Sequence, residues 1–98
     1  MTRSTHHRHY RSFLTLLRDL REQAGVTQVE LGNRLGNTQT FVSKFERGER
    51  RVDVVEFTEI CEALGMDPGE AFARLIEKRR KDRASGKVGV RKRSSTDL

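Results

Sequence analysis

Gln39, Thr40, Ser43 and Lys44 carry short polar or cationic side chains at spacings that place them on one side of a helix. Each has a known use against nucleic-acid bases. A Gln carboxamide pairs bidentately with adenine, and a Lys ammonium donates to guanine O6 or N7. A Thr touches a thymine methyl or shares a hydrogen bond, and a Ser hydroxyl serves either purpose. Arg47, Arg50 and Arg51 follow at once. They could clamp phosphates on the far side of a groove, which gives affinity and register rather than sequence choice. For Arg50 and Arg51 the alternative is a solvated loop. Phe41 is an aromatic on this polar side. It packs either against the first helix or on sugar-phosphate or a thymine methyl.

Other chemistries find little support. His6, His7 and His9 have no acid or Cys near them, so no metal site is expected. The single Cys excludes an intramolecular disulfide and any Cys-rich zinc site. Cys61 falls on an apolar stripe, where a small buried hydrophobe is expected. No acid–base pair is evident, and no Gly-rich loop precedes a Lys-Ser or Lys-Thr. No catalytic residue and no cofactor is expected, and the chain does not read as an enzyme.

Helices must position the polar side chains. Phe13, Leu16, Leu17, Leu20 and Ala24 repeat at helical spacing up to Gly25. Thr27 caps a second helix, with Glu30 three residues on as its capping-box partner, and Gly36 ends it. Thr38 caps a third, with Val42 and Phe45 inward, ending at Gly48. Asp53 and Glu56 open a fourth, with Phe57, Ile60, Cys61 and Leu64 as its stripe and Gly65 as its stop. Asp67-Pro68, with Glu70 as box partner, opens a fifth, whose inner face is Ala71, Phe72, Leu75 and Ile76. The apolar period is lost from about Asp82. No segment alternates cleanly enough to read as a strand.

With 98 residues, the chain has room for one domain. Hydrophobic residues make up 34% and charged residues 35%, so the apolar side chains must be concentrated in one segment. The formal net charge of +6 is uneven: residues 1–12 carry +3, residues 13–73 carry −4 and residues 74–98 carry +7. This predicts a flexible basic N-terminal arm over 1–10, a folded domain over 11–81 and a disordered basic tail over 82–98. The basic clusters Lys78 to Arg83 and Arg91 to Arg93 either follow a DNA backbone or simply solubilise the chain. No stretch reads as a signal peptide or a spanning helix, so no membrane partner and a cytoplasmic location are expected. An excess of positive charge favours a polyanionic partner.

The second and third helices, Gln28 to Gly48, match a helix-turn-helix in length and in their Gly-containing turn. The resemblance extends further. Gly25-Val26-Thr27-Gln28, Leu31, Leu35-Gly36 and Val42-Ser43-Lys44-Phe45-Glu46-Arg47-Gly48 resemble the Xre family of DNA-binding domains, which includes lambdoid phage repressors and Cro proteins. The likeness covers roughly Phe13 to Leu75. It departs at Gly32, where Ala is usual, and at Asn37, where an apolar residue is common. The expected fold is all-α, a five-helix bundle containing a helix-turn-helix.

What the resemblance implies can be placed residue by residue. Bases are read from the positions of Gln39, Thr40 and Lys44, with Ser43 beside them on the outward side. Gln28, with Thr27 before it, stands where the free N–H groups of a helix start hold a phosphate. Phe41, Arg47, Arg50 and Arg51 complete the phosphate-contact set. Arg21 and Glu46 form an ion pair that fixes the third helix against the first. The expected function is a sequence-specific DNA-binding transcriptional regulator, a repressor, that inserts its third helix into the major groove of double-stranded DNA. A homodimer on a two-fold operator is expected, because one helix covers few base pairs. The alternatives are the antitoxin of a toxin–antitoxin pair, whose acidic stretch Asp53–Glu70 meets a basic toxin, and an adaptor or coactivator that binds another protein partner.

Overall fold

A computed structural model describes residues 7–86. Five helices follow one another: α1 (Arg8–Gln23), α2 (Gln28–Arg34), α3 (Gln39–Glu46), α4 (Val54–Ala63) and α5 (Pro68–Gly86). No strand occurs among the described residues. The all-α expectation holds, and every predicted helix is present.

One core joins all five. Leu16, Leu17 and Leu20 of α1 meet Leu31 of α2, Val42 and Phe45 of α3, Phe57, Ile60 and Cys61 of α4 and Ala71 of α5. Val26, Val52 and Leu64 close it from the connecting segments. The apolar stripes read from the sequence supply these contacts, because spacings of three and four residues keep side chains on one face.

The expected domain limits at 11 and 81 fall inside helices. Residues 8–10 belong to α1. The His7 side chain caps that helix, its Nδ1 accepting from the His9 N–H at 3.0 Å. The Tyr10 hydroxyl accepts from the Val52 N–H at 3.1 Å, and the Tyr10 ring packs on Phe13. Residues 82–86 continue α5 although their apolar period has ended. Arg and Lys are good helix formers, and the Glu77–Arg80 pair at 3.1 Å adds support a turn earlier. Ser12 of α1 also donates to Asp82 of α5. The flexibility expected of residues 1–6 and 87–98 lies outside the described residues.

Two smaller expectations change. Thr27 Oγ1 does accept from the Glu30 N–H at 3.0 Å, but the Glu30 carboxylate pairs with Arg34 at 2.8 Å. A complete capping box is formed in α4, between Asp53 and Glu56. Phe72, expected on the inner face of α5, is 53% exposed. Ala71 takes the core position, and the adjacent residue is turned about 100° away by the 3.6-residue period.

Candidate nucleic-acid interface

The entry to α3 is built tightly. Thr38 Oγ1 accepts from the Phe41 N–H at 3.1 Å, and Asn37 Oδ1 accepts from the Thr38 N–H at 2.9 Å. Asn37, where the resemblance has an apolar residue, thus bonds the backbone at the helix start. Gly36 turns the chain at φ 66°, a region that L side chains avoid. Gly32 packs against this entry: a Cβ there would lie 2.7 Å from the Thr38 carbonyl oxygen. The departure from Ala at this position is therefore a steric requirement of how closely α2 approaches α3.

Val42 and Phe45 are buried, which turns the opposite side of α3 outward. Gln39, Thr40 and Lys44 are exposed there, and Ser43 is half-buried beside them. The four side chains predicted to read bases therefore share one outward surface.

A line of hydrogen bonds runs under that surface. Arg21 donates from Nε to Glu46 Oε2 at 2.6 Å and from Nη2 to Glu46 Oε1 at 3.0 Å. Its Nη1 donates to the Val26 carbonyl at 2.9 Å. The two side chains are only 10% and 5% exposed, and the bonds to Glu46 hold the Arg21 guanidinium more firmly protonated than usual. Gln28 Nε2 donates to the same Glu46 Oε1 at 3.0 Å, and Gln39 Nε2 donates to Gln28 Oε1 at 2.8 Å. The expected Arg21–Glu46 pair is thus the buried end of a chain that reaches the first residue of α3. A carboxamide nitrogen carries two hydrogens. Gln39 keeps one of them, and its carbonyl oxygen, for an outside partner.

The cationic residues are less free than their sequence suggests. Arg47 is paired with Glu49 at 2.9 Å and also donates to Ser43 Oγ. Arg50 forms two bonds to Glu56, at 3.0 and 2.7 Å, and its guanidinium lies over the Phe41 ring at 4.6 Å. Arg51 lies over the Tyr10 ring at 4.4 Å. The neighbouring arginines hold the carboxyls of Glu49 and Glu56 below the usual range, mainly through hydrogen bonds. Any phosphate that reached Arg47 or Arg50 would compete with these carboxylates. Phe41 is half-buried, edge-on to Phe45 and beneath Arg50, which covers one face of its ring.

Three features escaped the sequence reading: the Gln28–Gln39 link, the carboxylate partners of the arginines, and Tyr10 as the anchor of the α3–α4 loop. The nearness of Glu49 to Arg47 was a visible signal for the second. Nothing local pointed to the first or third, because their partners lie 11 and 42 residues apart.

Residues 12–75 match a family model described as a helix-turn-helix domain. The structure is similar to that of an XRE-family like protein from Pseudomonas syringae pv. tomato str. DC3000, with a TM-score of 0.70 and 45% identity. That similarity covers 78% of this chain and 93% of the other. Among curated proteins, an uncharacterized HTH-type transcriptional regulator, y4dJ, from Sinorhizobium fredii is 40% identical over 47 residues. The match takes in 48% of this chain and 61% of that relative.

Proposed function

This chain belongs to the XRE-like helix-turn-helix family, and from that premise we propose that it is a sequence-specific DNA-binding transcriptional regulator. It acts as a repressor by occupying its operator, with α3 in the major groove of double-stranded DNA. The observation that carries the reading is the bond from Gln39 to Gln28, backed by Glu46 and Arg21. A side chain meant to read a base must be held in one orientation before it meets DNA, and this line supplies the hold. The free carbonyl oxygen and remaining N–H of Gln39 match the donor and acceptor of adenine. Thr40, Ser43 and Lys44 extend the reading surface. Thr27 and Gln28 at the start of α2, and Phe41, Arg47, Arg50 and Arg51 around α3, contact phosphates. Two copies bind a two-fold operator, because a single recognition helix covers too few base pairs.

Glu59 and Glu62 favour a second reading. Both are exposed on α4, and neither joins an ion pair among the described residues. A basic protein such as a toxin could meet them, which would make the chain an antitoxin.

Titration of labelled duplex DNA at several salt concentrations tests the first reading. Affinity should fall linearly on a log–log scale with salt, and Gln39→Ala should weaken the preferred site more than an unrelated duplex. Binding that ignores both salt and sequence would refute it.

A further inference from the structure

The start of α1 and the outer half of α5 lie side by side, joined by Ser12 and Asp82. Arg8 and His9 of α1 share this seam with Arg79 and Arg83 of α5; burial first, and then these cations, push the His9 pKa down, so its ring is neutral. Among the described residues, no carboxylate pairs with Arg8, Arg79 or Arg83. Arg80, one residue along, is paired with Glu77 at 3.1 Å. Nearby acids have other uses: Asp82 accepts from Ser12, and Asp53 accepts from the Glu56 N–H at 2.7 Å. Two atoms of the seam, His9 Nδ1 and Arg79 Nε, are buried without a hydrogen-bond partner.

Three arginines beside a single carboxylate, Asp82, repel one another. That repulsion is relieved by an anion with several acceptor oxygens seated on the exposed Arg8 and Arg83. The seam is also continuous with the loop between α3 and α4. His9 and Arg79 line one groove with Asp53 and a mostly apolar wall that includes Val52, Val54, Phe57 and Phe72. Tyr10, next to His9, accepts from the Val52 N–H at 3.1 Å and lies beneath Arg51. A strip carrying Arg51, Arg79 and Arg83 therefore runs past Tyr10 and the neutral His9 ring.

We propose that this seam is a second phosphodiester-binding site, which holds DNA backbone flanking the bases that α3 reads. The inference rests on the DNA-binding reading above. It places the basic cluster Lys78 to Arg83, for which the sequence leaves DNA backbone and solubility open, on a fixed surface of two helices. Continuity with the arginines of the α3–α4 loop favours a DNA backbone over an acidic protein as the occupant.

The test uses the full chain and a duplex selected by it. One form is trimmed to the bases needed for recognition, and the other is extended by about one helical turn (~10 base pairs) on each side. Wild type should bind the extended duplex more tightly and with a steeper salt slope. Arg79→Gln with Arg83→Gln should abolish that gain and make the slope shallower by up to about 2, at roughly 0.9 per lost phosphate contact. It should leave binding of the trimmed duplex and the helical circular dichroism unchanged. Arg83→Gln alone, at an exposed position, should show about half the effect if the double variant folds poorly. Arg80→Gln removes the same charge from a residue already paired and should change little. A double variant with wild-type affinity and slope on the extended duplex would overturn the proposal, as would an equal effect of Arg80→Gln. A wild type that binds no duplex would instead refute the DNA-binding reading, and this inference with it.

Discussion

Arg21 and Glu46, 25 residues apart, meet through two parallel hydrogen bonds of 2.6 and 3.0 Å in a nearly dry position between α1 and α3. The pair ties α3 to α1, and Glu46 Oε1 also accepts from Gln28. Removing one partner leaves a charge with little access to water. We expect Arg21→Ala or Glu46→Ala to destabilise the domain by about 3 kcal/mol, near the lower end for a buried pair. A double-mutant cycle by urea denaturation should show coupling above about 1 kcal/mol. Coupling near zero would mean that the two charges act independently.

Gly32→Ala should destabilise, although Ala favours helices over Gly by about 1 kcal/mol. The added methyl would lie 2.7 Å from the Thr38 carbonyl oxygen, a backbone atom that cannot swing aside. Overpacking of this kind costs about 1–3 kcal/mol. A urea midpoint at or above that of wild type would show that α2 and α3 separate easily.

Acid should weaken the α3–α4 junction. The bond from Arg50 holds the Glu56 carboxyl below its ordinary value of 4.5. A lowered folded-state value means that the unfolded chain takes up its proton first. The contribution is therefore present above about pH 4.5 and is lost as pH falls through the lowered value. The pair is partly exposed, so its worth is about 0–1 kcal/mol. Glu56→Gln should be less stable than wild type at pH 7, and the difference should shrink as pH falls below about 4.5, as read by thermal melts. A difference independent of pH would assign the effect to capping alone.

Cys61 is fully buried, and burial pushes its thiol up to about 11. The thiolate is the reactive form, so alkylation of the folded protein at neutral pH should be negligible. Modification should appear only with unfolding in urea. Stoichiometric labelling of the native protein would contradict the packing of α4.

Lys44→Ala should weaken binding to the preferred duplex by about 1–3 kcal/mol and relax the preference at one base pair. Competition titrations with single-base variants check this. An equal loss on every sequence would place Lys44 on a phosphate instead.

The helices were legible because each has its own local signal. Thr38 and Asp53 cap, Gly36 and Gly65 stop, and the Leu, Val and Phe stripes recur at helical spacing. The outward placement of Gln39, Thr40 and Lys44 followed from the burial of Val42 and Phe45. What stayed hidden depends on distant partners. Arg8 to Tyr10 looked like part of a flexible arm because Tyr10 finds Val52 and Arg51 only after folding. Asp82 looked like the start of a tail because its tie to Ser12 spans 70 residues. The arginines looked free because a sequence does not show which carboxylate each will meet.

Selection of bound duplexes from a random pool tests the central claim, that α3 reads DNA sequence, most directly. Wild type should enrich a two-fold symmetric site with half-sites about 10 base pairs apart. Repeating the selection with Gln39→Ala should remove the preference at one position in each half-site and leave the rest. A pool that shows no enriched sequence, or an enriched site that neither Gln39→Ala nor Lys44→Ala alters, would contradict the account.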